Sequence, residues 1–371
     1  MTRSKTELLA ELQELDPGTA YHEEYTSEQL KDVLRDLKGQ CKGIPQIAPM
    51  KAVDSKDKIV WRKGHPPDLS GISHLFNDNY VLEEKFDGVR VLLHILKDGV
   101  HLTTGRRSDV TFGYTDRIDN FPALRALPLV YEPCVLDCEL VAPAYEGQKN
   151  RLGDSVALVN SLPNHAIKLQ QSWGLPYLYV FDCLTPDMDV PWSWRRLNAA
   201  NATMQYSQHY NRLMLSITHD VQSEVIHGFL EDGAEGVMIK SRTGLYQPGK
   251  RSKDWIKVKR FSTGDFLVTD YIPGKGRHIG KVGALVVGYA TESSIMEVAR
   301  VGNLTDEMRD ELSEPTGELK PKYYNQVAEV MAQGKTADGR LRHPHFVRWR
   351  MDKEAGEKDT GPDQMDSFYD C

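Results

Sequence analysis

Lys85 and Arg90 flank the dipeptide Asp87-Gly88 in the stretch VLEEKFDGVRV, residues 81–91. The dipeptide is a strong turn signal between two apolar strand-like runs, and it predicts a two-residue hairpin. In that hairpin Lys85 would lie directly opposite Arg90, although like charges in this position destabilise a strand pair. A lysine is a nucleophile only when it is deprotonated, and neighbouring cations favour that form. The pair therefore predicts a nucleophilic Lys85 beside an arginine that holds an anionic substrate.

Charged residues also interrupt three further apolar strand-like runs. They are Asp137 and Glu139 on one face of VLDCELV, Glu235 and Lys240 at the ends of EGVMIK, and Lys257 and Lys259 on one face of DWIKVKR. One such strand alone is most simply a solvated face, but four in one region favour a common ligand. Cations would bind phosphates, while carboxylates would hold a metal ion or a ribose hydroxyl. A nucleoside triphosphate with magnesium meets these requirements.

The stretch KFDGVR, residues 85–90, resembles the KxDGxR signature of the covalent nucleotidyltransferases. This superfamily contains ATP-dependent DNA ligases, RNA ligases and mRNA capping enzymes. Six further motifs follow in the family's order: GRRSD with Arg106, LDCEL with Glu139, YVFD with Phe181, EGVMIK with Glu235 and Lys240, WIKVK with Lys257 and Lys259, and RMDK with Arg350 and Lys353. Cys138 replaces the usual glycine of the LDCEL motif and leaves Glu139 in register. Each motif is weak alone, whereas the ordered set is specific.

Within the superfamily, GKGRHIGKVGALVVG and ADGRLRHPHFVRWRMDK resemble the OB domains of DNA ligases, particularly compact bacteriophage enzymes. The resemblance implies an ATP-dependent enzyme that seals nicks in duplex DNA with 3′-hydroxyl and 5′-phosphate ends. Lys85 would take AMP from ATP, pass it to the 5′-phosphate of the nick, and the 3′-hydroxyl would then displace it. Replication, repair and recombination of DNA are the processes that such an activity implies.

The resemblance also implies a role for each motif residue. Glu83 would help read adenine and Phe181 would stack on it, while Arg90 and Glu139 would contact the ribose. Glu139 and Glu235 would bind Mg²⁺, for which Mn²⁺ could substitute. The remaining nucleotide contacts would come from Arg106, Lys240, Lys257, Lys259, Arg350 and Lys353.

The implied fold is α+β, with an adenylation domain of antiparallel sheets and flanking helices followed by an OB barrel. Capping-box spacings predict two helices within a helical segment 1–42, which faintly resembles a SAP-type DNA-binding pair. The adenylation domain would span 43–262, beginning with an irregular lead-in. Five strand-like runs with one short helix predict an OB domain over 263–353. The acidic segment 354–371 is predicted to be disordered.

Composition describes a chain of 371 residues with an ordinary apolar content of 40% and a net charge of −7. Nine acids and five bases in 1–40, and six acids and one base in 354–371, leave the middle at +2, which permits nucleic-acid binding. No apolar run is long enough for a membrane span, and no signal peptide opens the chain. The five cysteines form no paired metal-binding spacing. We expect a monomer in the cytoplasm, that of the host cell if a phage encodes it.

Several alternatives stay open at this stage. An RNA ligase shares the adenylation chemistry, a capping guanylyltransferase would load GMP, and a silent relative would only bind DNA ends. The stretch GKGRHIGK is not a Walker A loop, because Val282 follows Lys281 where serine or threonine is required. It is not a dinucleotide fingerprint either, because Ile279 occupies a glycine position. The N-terminal helices could instead be a cap packed on the catalytic domain or on a partner.

Overall fold

The computed structural model describes residues 4–15, 25–40, 44–62, 64–107, 113–129, 131–146, 148, 151–184, 189–291, 294–336, 338–353 and 360–368. The chain divides into two compact units. The first comprises Met1–Asp54, Asn77–Val221 and Val237–Lys257, and the second comprises Ser55–Phe76, Gln222–Gly236 and Val258–Cys371. No α-helix among these described residues is long and apolar enough to cross a membrane.

Helices and mainly antiparallel strands are mixed along the chain, which confirms the predicted α+β class. The helices of the described ranges are α1 (Lys5–Leu15), α2 (Ser27–Gln40), α3 (Pro122–Arg125), α4 (Arg151–Asn160), α5 (Pro163–Trp173), α6 (Trp192–Tyr206), α7 (Ser223–Glu231) and α8 (Asp306–Leu312). The strands are β1 (Lys51–Asp54), β2 (Tyr80–Glu84), β3 (Val89–Ile95), β4 (Val100–Arg107), β5 (Tyr114–Asp116), β6 (Cys134–Val141), β7 (Tyr177–Leu184), β8 (Leu213–Leu215), β9 (Thr218–His219), β10 (Gly236–Ser241), β11 (Arg251–Lys259), β12 (Ser262–Pro273), β13 (Val282–Ala290), β14 (Ile295–Val301), β15 (Val327–Ala332) and β16 (His345–Trp349).

The two N-terminal helices begin with the capping boxes that the sequence predicts. Ser4 Oγ accepts from the Glu7 N–H at 3.3 Å, and Glu7 Oε2 accepts from the Ser4 N–H at 2.8 Å. Thr26 and Gln29 make the same exchange at 3.2 and 2.7 Å. The helices pack through one buried leucine cluster: Leu8, Leu12, Leu30 and Leu34. Their resemblance to a SAP-type pair stays a prediction.

Two sheets build the first unit. One has the strand order β1-β11-β10-β2-β9, and the other has the order β5-β4-β3-β6-β7-β8. Strand alternation in β3 gives the second sheet two apolar faces, because Val91 and Leu93 join a large cluster containing residues of α4 and α6. Leu92 points the other way and packs with Met50, Trp255 and other residues in a smaller cluster.

The predicted hairpin at Asp87-Gly88 is wrong. Strand β2 pairs with β9 and β10, whereas β3 pairs with β4 and β6, so the two strands lie in different sheets. Neither Asp87 nor Gly88 has a positive φ, which a type I′ turn would require at both positions. The segment is therefore a crossing between sheets, because long-range strand pairing outweighs the local turn signal.

The lead-in to the adenylation domain, predicted to be irregular, contains a strand. Lys51–Asp54 is strand β1, which pairs in parallel with β11. Met50, immediately before it, is fully buried. Residues Ser55–Phe76 are grouped with the second unit, and the bounds 43–262 of the adenylation domain stay a prediction. Segment Gln222–Gly236 is likewise grouped with the second unit.

The second unit contains the five strands that the sequence predicts for an OB domain. They form one sheet in the order β14-β13-β12-β15-β16. The predicted short helix is α8, whose first turn is capped by Thr305 Oγ1 accepting from the Met308 N–H at 3.2 Å. Apolar residues of β12, β13 and β15 share one buried cluster.

The expectation of a disordered tail is wrong for residues 360–368. Pro362–Ser367 form a 3₁₀ turn, and Phe368 is 2% exposed in the same cluster as Phe266. The acidic composition of the segment suggested disorder, but Met365 and Phe368 bury enough apolar surface to hold it on the sheet. Residues 354–359 and 369–371 lie outside the described residues.

Candidate active site

A pocket of about 370 Å³ lies in the first unit. Seven of the predicted site residues line it: Glu83, Lys85, Arg90, Glu139, Phe181, Lys240 and Lys257. The sequence reasoning did not assign the other lining residues to the site, namely Lys51, Ala52, Glu84, Phe86, Met238, Arg251 and Trp255. Among the described lining residues, six cations face three carboxylates, so the pocket favours an anionic ligand.

Lys85 lies just after β2, in the segment that crosses between the two sheets. Phe86 stacks on Tyr179, with ring centroids 3.8 Å apart and planes 8° from parallel, and this contact holds the segment on the second sheet. Gly88 approaches β6 so closely that a Cβ there would lie 2.4 Å from the Leu140 carbonyl oxygen. Any side chain at this position would move the crossing segment, and with it Lys85.

Arg90 and Glu139 come from neighbouring strands. They are directly paired in the β3–β6 register, and Tyr179 of β7 pairs with Glu139 on its other side. Asp137, two residues before Glu139, lies on the same face, as the alternation predicts. Cys138 points to the opposite face and is fully buried in the cluster packed against the helices. The cysteine that replaces the family's glycine therefore lies away from the pocket, and burial raises the pKa of its thiol.

The guanidinium of Arg90 is held by a buried network. Its Nε donates to Asp137 Oδ1 at 2.8 Å, its Nη2 to Asp137 Oδ2 at 2.5 Å, and its Nη1 to the Met50 carbonyl. Tyr246 Oη donates to Asp137 Oδ2 at 2.8 Å and accepts from the Met50 N–H at 3.1 Å. Burial opposes the charged form of Arg90, but the contact with Asp137 outweighs it, so the pKa of the guanidinium is raised. Asp137 and Tyr246 thus orient Arg90, and Tyr246 is a site residue that no motif indicated.

Glu83 and Lys240 form a buried ion pair, 2.8 Å between Oε2 and Nζ, and each side chain is at most 2% exposed. Ser216 Oγ also donates to Glu83 Oε2 at 2.8 Å, while the buried Oε1 has no hydrogen-bond partner among the described residues. Burial lowers the pKa of Lys240, and Glu83 opposes that effect. The unpartnered oxygen is an acceptor suited to a ligand donor such as an exocyclic amine.

Aromatic side chains form the apolar part of the pocket. Phe181 and Trp255 meet edge to face, with centroids 5.8 Å apart and planes at 76°. Lys240 Nζ lies 4.7 Å from the Phe181 centroid and 4.5 Å from that of Trp255. With Met238, these rings form an apolar wall of the pocket, against which a planar base can pack.

Lys257 extends the cationic part of the pocket on β11. Its Nζ lies 3.2 Å from Asp54 Oδ2, a residue of the neighbouring strand β1. Lys85, Lys51 and Arg251 also line the pocket. This distribution places cations beside the predicted nucleophile, as phosphate transfer requires.

The other predicted site residues do not line this pocket. Glu235 and Lys259 form an ion pair of 3.6 Å, in which Lys259 also donates to Gln333 Oε1 at 3.2 Å, and both residues belong to the second unit. Arg106 is exposed near the end of β4 and does not line the pocket.

The predicted metal ligands Glu139 and Glu235 belong to different units. Within the described residues, no group of three or more His, Cys, Asp or Glu side chains could hold a metal ion. Mg²⁺ is commonly held by one or two carboxylates plus substrate phosphates, so Glu139 at the pocket fits a metal that arrives with the nucleotide.

Arg350 and Lys353 lie in the second unit, where both contact Asp265. Arg350 Nη1 is 2.7 Å and Lys353 Nζ is 3.0 Å from Asp265 Oδ2. Asp352 accepts from Arg350 Nε and Nη2 at 2.9 and 2.7 Å. The RMDK stretch is thus a connected cluster of charges, and its contact with Asp265 was not predicted from the sequence.

Comparison with known proteins identifies two matching families. The family described as the ATP dependent DNA ligase domain matches residues 68–259, and that of the DNA ligase OB-like domain matches residues 273–350. The first match covers more than half of the chain. Together they span both units and include every motif from KFDGVR to the first residue of RMDK.

Curated relatives carry ligase names. The chain is 28% identical over 308 residues to DNA ligase 2 of Methanosarcina acetivorans, covering 75% of this chain and 53% of that protein. It is 30% identical over 247 residues to a probable DNA ligase of Mycolicibacterium vanbaalenii, covering 63% and 43%. DNA ligase B of Mycobacterium tuberculosis is 29% identical over 306 residues, covering 76% and 58%. The chain therefore spans about half the length of these relatives.

Solved structures support the fold. A structure named Pmar-Lig_PreS3 aligns with a TM-score of 0.62 at 20% identity, covering 86% of this chain and 72% of that chain. A structure from a study of Lig E DNA ligases aligns with a TM-score of 0.54 at 18% identity, covering 81% and 99%. At these identities the likeness concerns the arrangement of the chain rather than its chemistry.

Proposed function

The chain belongs to the ATP-dependent DNA ligase domain family, and we propose that it seals nicks with 3′-hydroxyl and 5′-phosphate ends in duplex DNA, using ATP. The observation that carries the proposal is the pocket of the first unit. It gathers Lys85, an unpartnered carboxylate oxygen, two aromatic rings and several cations around a space of about 370 Å³. These are the groups needed to hold adenine, ribose and phosphates beside a nucleophile.

In the first step, Lys85 Nζ attacks the α-phosphorus of ATP. A phosphorus–nitrogen bond forms, the bond from the α-phosphorus to the bridging oxygen breaks, and pyrophosphate leaves with the electron pair. The proton of the lysine is lost to solvent. Lys257 stabilises the charge on the transferring phosphoryl group, because a fixed cation in a pocket costs no reorganisation during the reaction. Arg350 and Lys353 act on the leaving pyrophosphate.

Base and ribose are held by the buried part of the pocket. Glu83 Oε1 accepts from the adenine amine, while Lys240 and Ser216 fix the other oxygen of the same carboxylate. Guanine would present a carbonyl oxygen to Glu83 at that position, so the pocket favours ATP over GTP. Phe181 provides a face for the purine, and Arg90 keeps one N–H group for the ribose beyond those bound by Asp137, Tyr246 and the Met50 carbonyl.

In the second step, a 5′-phosphate oxygen of the nick attacks the phosphorus of the lysyl-AMP, and the bond to Lys85 breaks. In the third step, the 3′-hydroxyl attacks the adenylated 5′-phosphate, AMP leaves, and the strand is closed. Lys257 and Lys259 neutralise phosphate charge in these steps. Arg106 is proposed as a further contact to the nucleotide.

Glu139 and Glu235 are the proposed carboxylates for Mg²⁺, with Mn²⁺ as a substitute. When bound, the ion would neutralise phosphate charge and help orient the triphosphate. Replacing Glu139 or Glu235 with alanine is expected to slow adenylation by about 10²-fold, the loss typical of one preorganised group. Excess Mg²⁺ or Mn²⁺ should partly restore the Glu235→Ala variant, which is checked by titrating the metal in a single-turnover assay. No response to either metal would assign Glu235 to its ion pair with Lys259 instead.

Mass spectrometry of the protein after incubation with ATP and Mg²⁺ tests the proposal directly. We expect a mass increase of one AMP that is lost in acid, because the phosphorus–nitrogen bond is acid-labile, and that maps to Lys85. Parallel incubation with GTP distinguishes a capping guanylyltransferase, and nicks built from DNA or RNA strands distinguish an RNA ligase. Absence of any nucleotide adduct would refute the proposed activity.

We further propose that the protein acts as a monomer in the cytoplasm and serves DNA replication, repair or recombination in a bacteriophage-type setting. The resemblance to compact phage ligases supports this assignment. Sedimentation velocity at several protein concentrations checks the monomeric state, and a concentration-dependent increase in mass would contradict it.

A further inference from the structure

Asp265 on β12 connects the two cations of the RMDK stretch. Its side chain is 3% exposed, and its Oδ2 is 2.7 Å from Arg350 Nη1 and 3.0 Å from Lys353 Nζ. Its Oδ1 is also buried and has no hydrogen-bond partner among the described residues. Asp265 lies 85 residues from Arg350 in the chain and outside all seven motifs.

The shared oxygen of Asp265 brings two like charges together. Since both cations contact Oδ2, their nitrogens lie within about 6 Å of each other, a distance at which they repel strongly unless a negative charge lies between them. Asp352 holds the rest of the Arg350 guanidinium and is itself 63% exposed. The hydrogen bonds that Arg350 donates to Asp352, together with the carboxylate of Asp265, outweigh burial and raise the pKa of Arg350. The pair is thus a preassembled double cation rather than two independent side chains.

The backbone of Asp265 is fixed by the C-terminal segment. Its N–H donates to Gln364 Oε1 at 2.9 Å, and Ser367 Oγ donates to the Thr263 carbonyl at 3.2 Å. Phe368 packs against Phe266, the residue that follows Asp265, with centroids 6.0 Å apart. A buried carboxylate on a strand held in this way has little freedom to move.

We propose that Asp265 is a positioning residue for the first step of the reaction. It keeps Arg350 and Lys353 in one arrangement that receives the pyrophosphate leaving group. This inference rests on the proposed ATP-dependent ligase function, in which Arg350 and Lys353 act only while pyrophosphate is present. In this assignment Asp265 acts only through the two cations that it contacts.

The test is Asp265→Asn, which keeps the size of the side chain and removes its charge. Single-turnover formation of the AMP adduct is measured as a function of ATP concentration, alongside sealing of a nick that already carries a 5′-AMP. We expect adduct formation to fall about 10-fold, as for the loss of a group that orients a functional one. Sealing of the pre-adenylated nick should stay within about twofold of the unmodified protein.

A matched control is Glu329→Gln. Glu329 pairs with Asp265 in the β12–β15 register, is 7% exposed, and binds Arg348, an arginine outside the proposed site, at 2.7 Å. Its replacement removes a comparable buried carboxylate from the adjoining strand and should leave both assays unchanged. In a Lys353→Ala background, Asp265→Asn should add little further loss, because the pair it positions is already incomplete.

Three results would overturn the inference. Adduct formation by Asp265→Asn at the rate of the unmodified protein would show that the cations need no positioning. An equal loss on the pre-adenylated nick, with a lower midpoint of thermal unfolding, would make Asp265 a folding residue. Fully additive losses in the Lys353→Ala background would separate Asp265 from the pair. If the unmodified protein forms no adduct, the proposed function itself fails, and the inference fails with it.

Discussion

The buried pair of Glu83 and Lys240 allows stability and nucleotide loading to be separated. Both side chains are at most 2% exposed, and Nζ lies 2.8 Å from Oε2. Glu83→Gln keeps the shape of the side chain but leaves the Lys240 ammonium buried without that counter-charge. Removing one partner of a buried pair typically costs about 3–5 kcal/mol. We therefore expect the free energy of unfolding to fall by about 3 kcal/mol or more.

The double variant Glu83→Gln with Lys240→Met provides the decisive comparison. It removes both charges while leaving an amide oxygen that can accept from Ser216 Oγ. Replacement of a whole buried pair is often close to neutral, so this variant should recover most of the lost stability, to within about 1–2 kcal/mol of the unmodified protein. It should nevertheless stay defective in forming the AMP adduct, because the carboxylate proposed to receive the adenine amine and the cation that fixes it are both absent.

Urea unfolding followed by tryptophan fluorescence measures the stability of these variants, since the Trp255 ring lies 4.5 Å from Lys240 Nζ. Adduct formation with ATP is measured on the same preparations. Equal instability of the single and double variants would refute the reasoning, because the loss would then come from packing and not from an unpaired charge. Normal adduct formation by the double variant would remove this pair from the nucleotide site.

Three further outcomes are expected. Lys85→Ala should form no AMP adduct, while unfolding at the same urea concentration as the unmodified protein. Lys85→Arg should also form no adduct, because a guanidinium stays protonated. An adduct in either variant would refute the choice of nucleophile. The double variant Arg350→Ala with Lys353→Ala should lose sealing with ATP but keep most sealing of a pre-adenylated nick, whereas Lys257→Ala should lose both activities, as measured by gel assays of nicked DNA. Equal defects of the double variant on both substrates would assign the RMDK cations to DNA contact or folding. Burial lowers the pKa of His94 from 6.5 to about 4, so burial of its neutral form contributes fully to stability above pH 6.5, and this contribution of about 3 kcal/mol is lost as the pH falls towards 4. The free energy of unfolding of His94→Gln should therefore vary less over that pH range than that of the unmodified protein. An unchanged pH dependence would contradict the assignment.

Local signals predicted much of the fold. The capping boxes at Ser4 and Thr26 depend on contacts three residues apart, and both are formed. The five strands of the second unit are continuous apolar runs with turns between them, and all five appear in one sheet. Alternation within LDCEL separates Glu139 from Cys138 correctly, because side chains of a strand must point to opposite faces.

Features that depend on distant residues were not predictable in the same way. Trp194 lies in the first turn of helix α6, two residues after the buried Trp192, and is 62% exposed, a difference that the composition of the helix does not mark. Tyr246 reaches Asp137 across 109 residues, and no local pattern marks a hydroxyl that bonds a carboxylate so far away. Asp265 is similar, because its cations lie on a distant strand end. A single sequence specifies which residues are charged, but the partners of those charges depend on the packing of sheets.

The wrong prediction of a hairpin at Asp87-Gly88 is instructive about how Gly88 places Lys85 and Arg90. The hairpin interpretation used Asp87-Gly88 as a turn that brings Lys85 beside Arg90. In the structure, Gly88 is required for a different reason, since any Cβ at this position would lie 2.4 Å from the Leu140 carbonyl oxygen. Lys85 directly follows β2 of one sheet, Arg90 is the second residue of β3 in the other sheet, and both residues line one pocket. Because the proposed nucleophile follows a strand of one sheet and the arginine proposed to contact the ribose lies on a strand of the other, the space between them has room for the proposed nucleotide, which a two-residue hairpin would not provide.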